Sequence, residues 1–265
     1  MAAEMAKDRY TFGDTDEASL RLKRLAEMYE ADTRELLERS RLQTPRLAID
    51  LGCGPGWSTS LLGEVLNPVR TVGLDASERY VAEARRTLGP GLEFQVHDIT
   101  RAPFPVKAPD VLFCRFLLTH LRSLRDVLAT WAEIASSNSL LLIHETETLE
   151  TDNPTLNRYY QLVAQLQRHY GQTLFVGGFL EQNLEKSGWR LVDNRRPTLK
   201  KPVPKMAQLH LSNLRTWRQD DYARRAFDAA EIDELEASLT DISEDSEHDG
   251  LVMNGARQVI AQRRP

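Results

Sequence analysis

Leu47-Ala48-Ile49-Asp50-Leu51-Gly52-Cys53-Gly54-Pro55-Gly56-Trp57-Ser58-Thr59 is the stretch that decides how this chain reads. An apolar run containing one acid, Asp50, meets a loop with glycines at alternate positions, and residues 58–66 then carry a pattern compatible with a helix. That is strand, tight turn and helix, the opening unit of a nucleotide-binding α/β sheet. Glycine suits such a turn because the backbone takes unusual angles and a ligand approaches without meeting a Cβ. A dinucleotide fingerprint would place its third glycine at position 57, which is Trp57, and no lysine follows to make a phosphate-binding Walker loop. A carboxylate at position 50 repels a pyrophosphate but tolerates a cationic ligand.

With an acid followed by G-x-G-x-G, the stretch resembles the first motif of the class I methyltransferases that use S-adenosylmethionine (SAM), a ligand with a sulfonium, an ammonium and no phosphate. Residues 71–74 read as the second strand and end in Asp75, 25 residues after Asp50. An acid at that strand tip accepts ribose hydroxyls, and Ala76-Ser77 open the next helix, with Ser77 a suitable N-cap. The third strand, residues 92–96, leads to Asp98 and Ile99; in the family the matching acid contacts the adenine amino group and the next residue lies beside the ring. Residues 110–114 form the fourth strand and run into Arg115, Phe116 and Leu117, which resembles the fourth family motif. The resemblance implies SAM as cofactor, with Asp50, Gly52, Cys53, Gly54, Gly56, Asp75, Ala76, Asp98, Ile99, Arg115 and Phe116 as its binding residues. It covers about Ala48 to Trp189. The chain departs from the family before the fifth strand, where Ser136-Ser137-Asn138-Ser139 stands in place of an Arg-Pro-Gly-Gly type turn.

Bulk properties set the outer limits. The 265 residues, 41% hydrophobic and 28% charged, describe one globular α/β domain with insertions. A net charge of −5 gives no attraction to a nucleic-acid backbone. No apolar run approaches the roughly 20 residues of a membrane span, and MAAEMAKDRY lacks the apolar core of a signal peptide. Cys53 and Cys114 make no disulfide framework, and no metal motif is present. A cytoplasmic location follows as the expectation.

The expected fold is α/β: a Rossmann-like, seven-stranded, mostly parallel sheet with an antiparallel last strand (residues 258–262), an N-terminal helical layer and helical cap insertions, all in a single domain over residues 1–265. Residues 1–40 form the helical layer, packed on the sheet and, as the resemblance implies, lying as a lid over the cofactor with Tyr10, Phe12 and Tyr29 as contacts; both can hold at once. Residues 151–178 and 200–249 form the caps. Their aromatics suit a substrate pocket, and Tyr159, Tyr160, His169 and Trp217 are the expected substrate-binding residues; a plain hydrophobic cluster or a dimer interface is the alternative. The fifth strand, residues 140–143, ends in His144-Glu145-Thr146-Glu147. His144, Glu145 and His120 are, in that order, the candidate bases for in-line displacement onto a small-molecule acceptor. Two other readings remain open: an enzyme of the same fold that uses SAM without methyl transfer, and a noncatalytic SAM-binding regulator.

Overall fold

The computed structural model describes residues 13–245, 247 and 249–265. Tyr10 and Phe12, expected over the cofactor, lie outside the described residues. Two helices lead in, α1 (Asp16–Met28) and α2 (Glu30–Arg39), separated at Tyr29, whose ring is buried. The Thr15 side chain accepts from the amide of Ala18 and opens α1. The sheet then builds as β1 (Leu47–Leu51), α3 (Trp57–Leu66), β2 (Arg70–Asp75), α4 (Glu78–Thr87), β3 (Leu92–Val96), β4 (Val111–Arg115), α5 (Leu124–Ile134) and β5 (Leu140–Glu150). After it come α6 (Pro154–His169), α7 (Leu180–Lys186), β6 (Trp189–Arg195), β7 (Thr198–Pro202), α8 (Val203–Trp217), α9 (Asp221–Ala226), α10 (Ala229–Glu244) and β8 (Leu251–Arg263).

Strand order is β3-β2-β1-β4-β5-β8-β6, with β7 paired to β8. Strands β1 to β5 run parallel, and β8 is antiparallel to β5, β6 and β7. Every residue of β1 is buried, as a central strand covered on both faces requires, and this is why it reads as a nearly continuous apolar run. The order reverses between β1 and β4. Their carboxyl ends therefore flank the crevice in which open α/β sheets take ligands.

The sheet has eight strands, not seven. The extra one, β7, occupies the start of the segment expected to be a helical insertion from residue 200. It forms because β5 continues to Glu150 and β8 begins at Leu251, so the two pair well past the tip of the parallel sheet and leave an edge for Thr198–Pro202. Arg257 on β8, fully buried, grips Glu147 on β5 with Nε and Nη2 at 3.0 and 3.1 Å and fixes this extension. On it stand the cap helices. Leu156, Val163 and Leu166 of α6, Met206, Leu214 and Trp217 of α8, and Leu235 and Leu239 of α10 make an apolar cluster distinct from the sheet core of Ile49, Val72, Leu112, Trp131, Ile143 and Trp189. No helix among the described residues is long and apolar enough to cross a membrane.

Gly73, in the middle of β2, leaves room for the loop above it. A Cβ there would lie 2.7 Å from the Phe94 ring and 2.9 Å from Cys53 Sγ. Overpacking of this kind costs about 1–3 kcal/mol. Gly73→Val is expected to lose about that much stability in urea unfolding, while a stability equal to wild type would contradict the packing described.

Candidate active site

The glycine loop is shaped by its neighbours. Gly52, Gly54 and Gly56 all have positive φ, at 70°, 51° and 89°. The amides of Gly52 and Cys53 both donate to the Leu74 carbonyl, at 2.8 and 3.0 Å, which ties the loop to the end of β2. A Cβ on Gly52 would sit 2.5 Å from Leu117, so close approach as well as φ requires glycine. Gly56 faces away from the crevice, against Leu88 and Phe94. Asp50 is fully buried below the loop, and its Oδ2 accepts from Ser58 Oγ and Thr59 Oγ1, both at 2.7 Å. Burial raises its pKa to about 6 against the pull of those two hydroxyls. Asp50 and Gly56 therefore hold the loop and the start of α3 and do not line the crevice, contrary to the expectation that they touch a ligand.

Above the loop lies a cavity of about 460 Å³, a size suited to a small-molecule ligand. At one end, Asp75 accepts from Gly54 N on Oδ2 and from Ser77 N on Oδ1, each at 2.8 Å. A carboxylate has about four lone-pair sites, so Asp75 keeps capacity to accept from a hydroxyl in the cavity. Ala76 lines the same end. Burial raises the Asp75 pKa, opposed by the amides of Ser77 and Gly54. Asp98, which caps Thr100, and Ile99 form the adjacent wall. The glycine loop, the Asp75 carboxylate and the wall of Asp98 and Ile99 line one end of this space.

From α1, Arg21, Leu22 and Leu25 close the cavity from above. The entry to α1 is fastened to α4, since Tyr80 donates to the Gly13 carbonyl and Ser77 Oγ to Asp14, both at 2.8 Å. The N-terminal layer thus both packs on the fold and covers the crevice, and Tyr29 lines it.

At the middle of the cavity β4 ends in Arg115 and Phe116. Burial pulls the Arg115 pKa down to about 10, so the guanidinium stays charged, and its Nη1 donates to Thr33 Oγ1 at 3.0 Å. Phe116 holds a positive φ of 51°, a strained backbone for a bulky residue, secured by its amide donating to the His144 carbonyl at 3.0 Å. Strained backbone of this kind clusters at functional sites.

Side chains alternate along β5, and this separates His144 from Glu145. Glu145 faces the cavity, fully buried; its Oε1 accepts from the amides of Leu117 and Leu118 at 2.8 and 2.7 Å, and its Oε2 has no hydrogen-bond partner. Burial raises its pKa to about 8, against those two amides. His144 turns the other way, behind Phe116 and Tyr29, with Nδ1 3.4 Å from Thr33 Oγ1. It does not reach the cavity, which corrects its first place among the candidate bases. His120 does line the cavity, but burial pushes its pKa down to about 3, as it does for His144, and a nitrogen so weakly basic is a poor proton acceptor.

The four cap residues divide. Tyr159 and Tyr160 line the cavity. Trp217 does not; it is buried in the cap cluster against Tyr159 and Phe227. His169 stacks flat on Tyr222 at 3.8 Å, off the cavity wall. Among the residues that sequence reasoning missed are Met206, Leu209, His210 and Asn213, whose spacing puts them on one face of α8. Nε2 of His210 lies 3.2 Å from the Tyr160 hydroxyl, and its ring stacks on Tyr159 at 4.4 Å. Among the described residues no cluster of His, Cys, Asp and Glu could hold a metal ion.

Residues 48–138 match a family model described as a methyltransferase domain. Over these residues the chain is similar to the methyltransferase domains that use SAM. It is similar to the trans-aconitate 2-methyltransferase of Methylobacterium nodulans, 36% identical over 124 residues, 47% of each chain. It is also similar to the enzyme of that name from Escherichia coli K12, 42% identical over 87 residues, 33% of this chain and 34% of the relative. The matches thus span about half the length of these relatives or less. Among solved structures the methyltransferase fold is shared with the [4+2]-cyclase SpnF, at a TM-score of 0.58 and 17% identity over 88% of this chain and 81% of that one. It is shared too with the geranyl diphosphate C-methyltransferase of Streptomyces coelicolor, at a TM-score of 0.52 and 15% identity over 96% and 88% of the two chains.

The Glu145 assignment has a stability consequence. A carboxyl whose pKa rises from 4.5 unfolded to about 8 folded binds more protons in the native state between those values. Stability is therefore fullest below about pH 4.5 and falls as pH rises toward 8. Glu145→Gln is expected to flatten that part of the melting-temperature profile, and an unchanged slope would contradict the buried, proton-holding carboxyl.

Proposed function

We propose that the protein binds SAM along the Gly52–Asp75–Ile99 side of the cavity and that its methyl group passes to a small-molecule acceptor held by Glu145, Tyr159 and Tyr160. The observation that carries this is the continuity of the cavity: one space runs from Asp75, past Phe116 and Glu145, to the cap tyrosines. The relatives named for trans-aconitate support an acceptor of small-molecule size.

SAM, when bound, would supply a sulfonium methyl for transfer to the acceptor's lone pair, with S-adenosylhomocysteine as the leaving product. The protein's work is alignment and exclusion of water, which alone is worth much of the barrier for two held reactants. Cys53 and Gly54 present the loop backbone, Asp75 would hold the ribose, Asp98 and Ile99 would hold the base, and Arg115 and Phe116 bound the middle of the cavity. The α1 helix covers part of the site through Arg21, Leu22 and Leu25. A hydroxyl acceptor must shed a proton. Glu145 is placed to accept it through Oε2 when ionised, so the rate for such an acceptor should rise with pH through about 8.

Asp75→Ala is expected to weaken SAM binding by about tenfold or more, since it removes charged hydrogen-bond acceptors worth about 1.5–3 kcal/mol each. Isothermal titration of SAM into both folded proteins checks this, and equal affinities would remove Asp75 from the site. Transfer of label from methyl-labelled SAM to a component of a small-molecule extract tests the reaction itself; SAM binding without any S-adenosylhomocysteine formed would favour a noncatalytic role.

A further inference from the structure

The acceptor end of the cavity carries a buried positive charge, and this narrows the substrate class of the function proposed above, on which the inference rests. Arg21 stands on α1, is 4% exposed and lines the cavity. A guanidinium keeps its charge even when buried. Its field reaches three residues of the same wall. Burial pushes the pKa of His120 and of His210 down to about 3, and the charge of Arg21 adds to that push. Burial raises the pKa of Tyr159, opposed by Asn213, Trp217 and Arg21. His120 follows β4, Tyr159 lies on α6 and His210 on α8, so the charge of α1 sits among residues from three other parts of the chain.

The acids that face the cavity are engaged at its other end. Asp14 accepts from Ser77 Oγ at 2.8 Å, Asp75 accepts from the Gly54 amide at 2.8 Å, and Asp98 accepts from Thr100 Oγ1 at 2.6 Å and meets Arg101 at 3.2 Å. Glu145 stands between the two ends, and burial keeps its proton on near neutral pH. Arg115, the other cation facing the cavity among the described residues, lies at the middle beside Phe116 with Nη1 on Thr33. Around Arg21 the acceptor wall is built chiefly of Leu149, Val163, Leu174, Met206 and Leu209. An anion entering such a wall gives up its hydration and is stable there only beside a cation. One carboxylate has that partner in Arg21, whose fork suits it; each further carboxylate would face hydrocarbon.

We infer that Arg21 anchors the acceptor by its charge and that the acceptor is an apolar monocarboxylate, its carboxylate on the guanidinium and its hydrocarbon body against the leucines, valine and methionine of the wall. The anchor comes from the covering helix α1 and the apolar wall from β5, α6 and α8, so such an acid bridges the cover and the cap across the cavity. The helices α1, α6 and α8 all lie outside residues 48–138, where the family model matches, so that match assigns nothing to this end. A tricarboxylate such as the relatives' trans-aconitate brings more negative charge than Arg21 balances and too little hydrocarbon for the wall.

The test uses the whole protein loaded with S-adenosylhomocysteine, whose binding is first measured by calorimetry. No binding at that step defeats the proposed function, and this inference falls with it. The loaded protein is then titrated with straight-chain alkanoates, with the primary amides of the same acids, and with trans-aconitate. The expected result is that each alkanoate binds about tenfold or more tightly than its amide, that affinity rises with chain length, and that trans-aconitate binds more weakly than the longer alkanoates. Arg21→Gln should bring the alkanoates down to the affinity of their amides and leave the amides unchanged, while Arg21→Lys, which keeps the charge, should retain part of the difference. Should both variants unfold, the acid-to-amide comparison on the wild-type protein decides alone. Equal affinity for acid and amide, tighter binding of trans-aconitate than of any alkanoate, or alkanoate binding untouched in Arg21→Gln overturns the inference. So does an Arg21→Gln protein that loses S-adenosylhomocysteine but keeps methylthioadenosine, which lacks the amino-acid part, because Arg21 would then hold the donor's own carboxylate.

Discussion

A short bond between backbone and side chain orders the cofactor half of the molecule: the Gly54 amide donates to Asp75 Oδ2 at 2.8 Å while the two preceding amides share the Leu74 carbonyl. These contacts bind the tip of β1 to the tip of β2, and they are reachable only because three loop residues take positive φ. Below them Asp50, buried and doubly bonded to Ser58 and Thr59, fixes where α3 begins. The same constraint shapes the ligand space. Once the loop is drawn against β2, Asp75 has only its outward lone pairs left to offer, and Cys53 and Gly54 present their backbone to the crevice.

The other half depends on strand alternation. One residue's difference in β5 decides that Glu145 enters the cavity and that His144 supports Phe116 from behind. Glu145 is thereby placed between two backbone amides that favour its charge and an apolar surrounding that opposes it. Desolvation is the larger effect, so this carboxyl holds its proton near neutral pH.

Much of this was legible in the sequence, for identifiable reasons. The β1 run is apolar because both faces are covered, the glycine spacing reflects real positive φ, and Asp75, Asp98 and Arg115 stand at strand ends, so the parallel sheet and its crevice could be read from pattern alone. What could not be read depended on long-range pairing. Nothing local announces that β5 and β8 continue past the sheet tip and recruit Thr198–Pro202 as an eighth strand. Nor does an Asp after an apolar run reveal whether it faces a ligand or, like Asp50, the helix beneath. In the cap, aromatic content pointed to the right helices and to Tyr159 and Tyr160, which line the cavity, but also to Trp217, which meets Phe227 edge-on, and to His169, which stacks on Tyr222. The face of α8 that reaches the cavity was marked instead by the spacing of Met206, Leu209, His210 and Asn213.

The central claim is that a single cavity holds the donor and the acceptor on either side of Glu145. A crystal structure of the protein with S-adenosylhomocysteine tests it most directly. The account predicts the ribose hydroxyls on Asp75, the adenine beside Ile99, and the sulfur directed toward Glu145 and the cap helices. A ligand in the reverse orientation, or bound outside this cavity, would contradict it.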